Sequence, residues 1–123
     1  MSAEVILIIE DDVHIGSLCG QVLREAGYQP EIVRDVGAAR ALAAQGLHPA
    51  AMLSDLMIAG SSGPEQLPDE LRALFPNVPL TLMTGVPPKR RAFLGITHDH
   101  ILEKPFELEA LLDAVGAMLQ TRR

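Results

Sequence analysis

Apolar residues gather along this chain in two alternating rhythms. Val5 to Ile9, a short unbroken run, reads as a strand covered on both faces, without the in-out alternation of a half-exposed strand, and Ala50 to Ser54 and Pro79 to Met83 read as the third and fourth strands. Between and after them the apolar positions fall at helical spacing. Ile15, Leu18, Cys19, Val22, Leu23 and Ala26 form one stripe before Gly27, and an alanine-rich stretch from Val36 to Gln45 ends at Gly46. Leu67, Leu71 and Leu74 form another before Pro76, with Pro68 expected either to start that helix or to kink it. Pro30 to Arg34 supplies a shorter, more polar strand, and a fifth strand is expected near Asp99 to Leu102. Val86-Pro87-Pro88 suits a loop and a first helical turn, and Gly95 limits the fourth helix to a turn or two over Lys89 to Leu94. The last helix carries Leu108, Leu111, Leu112, Val115, Met118 and Leu119 on one face, weakened slightly by Gly116. Five strand–helix alternations predict an α/β fold: a doubly wound (βα)5 domain with a five-stranded parallel sheet between two helical layers.

The polar residues that end the apolar runs carry the chemistry. Val5 to Ile9 leads into Glu10-Asp11-Asp12, the third strand into Asp55, the fourth into Thr84-Gly85 and the fifth into Lys104-Pro105-Phe106. In a parallel sheet these ends share one edge, where open α/β sheets bind ligands. Glu10, Asp11 and Asp55 together repel by several kcal/mol at an effective dielectric of about 20. Lys104 supplies one positive charge. A divalent cation with oxygen ligands supplies the rest, and Mg²⁺ fits because it accepts one or two carboxylates while keeping waters and phosphate oxygens. This combination points to phosphoryl chemistry, with Asp55 as the nucleophile that forms an acyl phosphate.

Ile9-Glu10-Asp11-Asp12, Asp55, Gly63 eight residues later, Thr84 and Lys104-Pro105-Phe106, in that order and at those strand ends, resemble the receiver domain of two-component response regulators. The resemblance covers essentially the whole chain and implies a flavodoxin-like receiver fold. It implies Asp55 as phosphoacceptor, Asp11 as a direct Mg²⁺ ligand, Glu10 as an acidic partner reaching the metal through water, and the Met57 carbonyl as a further ligand. It implies Lys104 as the phosphoryl-contacting lysine, across a cis peptide to Pro105, Thr84 as a mobile hydroxyl and Gly85 as a small neighbour. The implied donor is a histidine kinase or histidine phosphotransfer protein, and the implied output is a change in binding to a downstream protein target. The domain would catalyse its own phosphoryl transfer and slow dephosphorylation as a stoichiometric acceptor rather than a turnover enzyme.

Three features depart from that pattern. Ile101 stands three residues before Lys104, where the family usually carries Tyr or Phe; Ala59 and Ser62 replace a common proline and aspartate; the fourth helix is short. The expectation is signalling through another surface or through a loosened fourth helix. Met57 and Val86 would flank the path of attacking water. Other classes remain: a pseudo-receiver that works without phosphorylation, a flavodoxin-like nucleotide or flavin module, and a Mg²⁺-dependent phosphohydrolase with an aspartyl nucleophile. The stretch after the first strand carries acids, not a glycine-rich phosphate loop, which weighs against the nucleotide module.

Composition narrows the picture further. The 123 residues suit one domain over 1-123, and 48% hydrophobic content can bury a core without disulfides. A net charge of -6 argues against binding nucleic acid through a basic face, and the five-residue first run is too short for a membrane span or signal peptide. A cytoplasmic setting is expected. Met1-Ser2-Ala3-Glu4 reads as a natural start, although a receiver excised from a larger chain would end equally well at Arg123. Cys19 is expected as a buried reduced thiol and Asp12 as a helix N-cap. Met52, Met57, Met83 and Met118 read as core or pocket lining, His98-Asp99-His100 as solvated side chains, and Lys89-Arg90-Arg91 as an exposed helix face.

Overall fold

The computed structural model describes residues 3–96, 98 and 100–121. Its elements are β1 (Val5–Ile9), α1 (Val13–Glu25), β2 (Gln29–Val33), α2 (Val36–Ala44), β3 (Ala51–Asp55), α3 (Leu67–Leu74), β4 (Leu80–Thr84), α4 (Pro88–Phe93), β5 (Ile101–Glu103) and α5 (Leu108–Thr121). The strands form one parallel sheet in the order β2-β1-β3-β4-β5, so the (βα)5 reading of the sequence holds. Successive strands are added in one direction from β1 to β2 and in the other from β3 to β5, so the winding of the sheet switches between β1 and β3. The carboxyl ends of those two strands therefore bound the crevice in which such folds place their ligands.

The continuous apolar runs follow from burial on both faces. Leu7, Ile9, Met52, Leu80 and Leu82 pack with Val36 and Ala39 of α2 and Leu67 and Leu71 of α3. Ile6, Ile8, Ala51, Leu53, Met83 and Leu102 pack with Cys19 and Leu23 of α1 and Leu111, Val115 and Met118 of α5. Successive strand residues face opposite layers, so a run with one polar face would leave one layer bare. β2 lies at the edge, half-buried or exposed throughout, which explains its polar composition. Gly16 and Gly20 let α1 close onto it: a Cβ at Gly20 would stand 2.7 Å from Ile32 Cδ1.

Local signals set the helix ends. Asp12 caps α1 by accepting from the His14 and Ile15 N–H groups, and those bonds hold its carboxyl below the usual range. Asp35 caps α2 through Ala38 N–H. Pro68 lies in the first turn of α3, where its missing N–H costs nothing, so it neither kinks the helix nor begins it. Phe75, restricted by Pro76 behind it, leaves the helical region at φ -130 and ψ 77. β5 begins at Ile101, later than the sequence pattern suggests, and Asp99 lies outside the described residues.

Cys19 is 1% exposed, and burial, helped by the Glu10 charge, pushes its thiol up to about 11. At neutral pH the native protein should therefore react with iodoacetamide about a hundredfold more slowly than the urea-unfolded chain. Equal rates, followed by mass spectrometry, would contradict this placement.

Candidate phosphoacceptor site

β1, β3 and β5 deliver their end residues to one small volume. Carboxylate oxygens of Glu10, Asp11 and Asp55 all lie within 4.8 Å of one another. Lys104, reaching in from the residue after β5, places Nζ 2.6 Å from Glu10 Oε1 and 3.4 Å from Asp55 Oδ2. Glu10 is buried, Asp55 half-buried and Asp11 exposed, so the cluster grades from the sheet interior to solvent. The Lys104–Pro105 peptide is cis.

The electrostatics are unbalanced. Two carboxylates 4.8 Å apart repel by about 3.5 kcal/mol at an effective dielectric of about 20. One ammonium cannot neutralise three of them. Burial lifts the Glu10 carboxyl above its usual range and the Asp55 charge lifts it further, against the hydrogen bonds from Lys104 and Asp12 N–H. Burial pulls the Lys104 ammonium down, but its Glu10 hydrogen bond and the charges of Asp55 and Glu10 outweigh that and leave it raised. These donors are all oxygen, carry excess negative charge and open to solvent at Asp11, which suits Mg²⁺.

The surroundings fix the cluster. Ser54, fully buried, donates to the Asp55 carbonyl at 2.9 Å. Thr84 is 2% exposed, and its hydroxyl accepts from Val86 N–H at 3.0 Å. Lys104 N–H donates to the Thr84 carbonyl at 2.8 Å, tying the ends of β4 and β5 together. Gly85 follows at the exposed rim, where a Cβ would meet nothing nearer than Lys104 O at 3.9 Å. Space in this state does not demand glycine there. Met57, two residues past Asp55, is 58% exposed and lines a cavity of about 240 Å³ with Leu56, Ile58, Ser61, Gly63 and Pro64, whereas Met52, Met83 and Met118 lie in the core.

Residues 6–116 match the response regulator receiver domain family. The chain is a response regulator receiver domain. It is 35% identical to the C4-dicarboxylate transport transcriptional regulatory protein DctD of Pseudomonas aeruginosa, over 96% of this chain and 26% of that protein. It is 34% identical to the DNA-binding dual master transcriptional regulator RpaA of a Synechocystis species, over 94% of this chain and 48% of that protein. The receiver domain thus spans about a quarter to a half of the curated relatives it matches. A response regulator receiver protein from Sinorhizobium medicae superposes with a TM-score of 0.82 at 25% identity, covering 98% of both chains.

Two sequence expectations are corrected. Arg91 does not share the exposed face of Lys89 and Arg90: its side chain is 13% exposed and donates to the Val86 carbonyl at 2.6 Å. A helical turn brings it under α4 toward β5, and nothing in a run of three basic residues separates the third from the first two. His98 is only partly solvated. Half-buried, it hydrogen-bonds Arg72 at 3.0 Å and the Leu80 carbonyl at 2.7 Å, partners too distant in sequence to read from spacing. His100 is exposed. The Glu10, Asp11 and Asp55 group is the one candidate metal cluster among the described residues, and Asp99, the acid between the two histidines, lies outside them.

Proposed function

We propose that this receiver domain accepts a phosphoryl group on Asp55 from a histidine kinase or histidine phosphotransfer protein, and that the modified state changes binding to a downstream protein. The observation that carries this reading is the convergence of Glu10, Asp11, Asp55 and Lys104 at one sheet edge. An Asp55 carboxylate oxygen would attack phosphorus in line, the P–N bond to the donor imidazole would break, and the imidazole nitrogen would leave with its electron pair and take up a proton. Lys104, already 3.4 Å from Asp55, would neutralise charge on the phosphoryl oxygens. Thr84 would offer its hydroxyl to another of them.

Glu10, Asp11 and Asp55, with the Met57 carbonyl, would hold Mg²⁺, which supplies charge neutralisation and a template for the phosphoryl oxygens. The domain acts once per phosphoryl group, as an acceptor that also promotes its own slow hydrolysis. Its setting is cytoplasmic; among the described residues no helix is long and apolar enough to cross a membrane. Neither nucleic acid nor a lipid surface is a partner of this domain, in keeping with its net charge of -6.

Intact mass after incubation with acetyl phosphate tests the reading. One phosphoryl adduct per chain is expected with Mg²⁺ and none without it. Release of many phosphates per chain would instead indicate a phosphohydrolase, and no adduct under either condition would indicate a pseudo-receiver. Metal binding has its own readout: Mg²⁺ at a hundred times its Kd should stabilise the fold by about 2.7 kcal/mol. Asp11→Ala should lose most of that gain in thermal melts, while an unchanged gain would place the ion elsewhere.

A further inference from the structure

α4 is the least anchored helix of the fold. It has six residues, no side-chain cap and no buried residue, and Phe93 near its end is 87% exposed. An element with so few packed groups is poised to shift at low cost. What ties its side chains to the site is Arg91. Its Nη1 donates to the Val86 carbonyl at 2.6 Å and its Nη2 lies 3.3 Å from Glu103 Oε1.

Both anchor points adjoin residues at the sheet edge that carries Asp55: Thr84 at the end of β4 and Lys104 just past β5. The N–H of Val86 is the donor held by the Thr84 hydroxyl, so the same residue touches Thr84 through its N–H and Arg91 through its carbonyl. Glu103 immediately precedes Lys104, the cation 3.4 Å from Asp55. Ile101, also on β5, is half-buried and packs with the core on the α2 and α3 side; its aliphatic side chain has no polar atom with which to follow Thr84.

We propose that Arg91 is a positioning residue that carries the state of the Asp55 site to α4, because its guanidinium grips the loop that hydrogen-bonds Thr84 and the strand that delivers Lys104. The inference rests on Asp55 being phosphorylated. A phosphoryl group there draws the Thr84 hydroxyl and the Lys104 ammonium toward it. Movement of Thr84 is felt by the Val86 peptide, and Arg91 transfers that displacement to the helix it belongs to. The planar guanidinium can hold both acceptors at once, which a lysine ammonium on a flexible stem does less well. The switch is thereby polar where an aromatic side chain would make it steric.

Backbone amide shifts induced by beryllofluoride with Mg²⁺, read in the wild type, Arg91→Met and Glu103→Gln, test this. The wild type should respond at Thr84 and Val86 and across Ala92, Phe93 and Leu94. Arg91→Met, which keeps the alkyl stem, should still respond at Thr84 while its α4 response falls about threefold or more. Glu103→Gln removes one charge at an exposed position, keeps the fold, and should fall between the two. A purely structural Arg91 would change the resting spectrum but not the induced difference. Full α4 responses in Arg91→Met, or in Glu103→Gln where Arg91→Met fails to fold, would overturn the proposal. Absence of any beryllofluoride response and any acetyl phosphate adduct in the wild type would instead overturn the phosphoacceptor reading, and this inference with it.

Discussion

Asp55→Asn abolishes phosphoryl uptake, lowering the rate of adduct formation from acetyl phosphate about a thousandfold or more, while the protein stays folded. The carboxamide is neutral and a far weaker nucleophile, and it removes one of the three carboxylates that would hold the cation. The fold loses little, because the Asp55 side chain packs no core and the wild-type carboxylate repels Glu10. Relieving that repulsion lets the Glu10 carboxyl fall back toward its usual range, so stability at neutral pH should stay level or rise. Intact-mass kinetics and urea unfolding of the same preparation check both halves. An adduct forming at the wild-type rate would move the acceptor to another residue. A large loss of stability would mean that Asp55 is a structural partner of Lys104 first.

Lys104→Met lowers stability as well as phosphoryl uptake. Glu10 is 1% exposed, and without the 2.6 Å contact its carboxylate keeps, among the described residues, the Asp12 N–H as its one hydrogen-bond donor. Stranding a buried charge in this way costs about 3 kcal/mol at neutral pH. The cost depends on pH with a definite sign. Burial already raises the Glu10 carboxyl above its unfolded value, and removing Lys104 deletes the strongest effect that lowers it. A carboxyl that binds its proton more tightly when folded destabilises the protein as pH rises above the unfolded value and ceases to do so as pH falls below it. The variant should therefore recover much of its deficit in mild acid. The Lys104 ammonium is itself raised, so its own contribution in the wild type persists through neutral pH and fades only in alkali. Phosphoryl uptake should also fall about a hundredfold, since a cation aimed at the transferring oxygens is lost. Urea unfolding near pH 5 and pH 8 measures the first effect. An equal, small loss at both would reduce the pair to a surface contact.

The sheet was legible because its inner strands β1, β3 and β4 are buried on both faces: Val5–Ile9 could not alternate without exposing one helical layer. The acidic group was legible for a related reason. Glu10 and Asp55 end apolar runs, and parallel pairing of β1 with β3 in the register Ile9 to Ser54 brings those ends together. Lys104 could be placed because it follows β5 directly, even though its contact with Glu10 spans 94 residues. Arg91 and His98 were not legible. Each is held by a backbone carbonyl, Val86 for one and Leu80 for the other, and a carbonyl leaves no trace in side-chain pattern. The start of β5 was misjudged because three short residues pairing with β4 carry too little periodicity to fix a boundary. Thr84 was identified as a hydroxyl near the site, but its bond to Val86 N–H, on which the coupling to α4 depends, follows from the turn geometry alone.

Chemical trapping at Asp55 tests the central claim most directly. An acyl phosphate is reduced by borohydride to the corresponding alcohol, so the wild type treated with acetyl phosphate and Mg²⁺, then reduced and mapped by peptide mass spectrometry, reports which carboxyl was phosphorylated. Conversion at Asp55 alone, and only with Mg²⁺, is the predicted result. Conversion at Glu10 or Asp11 instead, or at no carboxyl in a sample whose intact mass shows the adduct, would contradict the assignment.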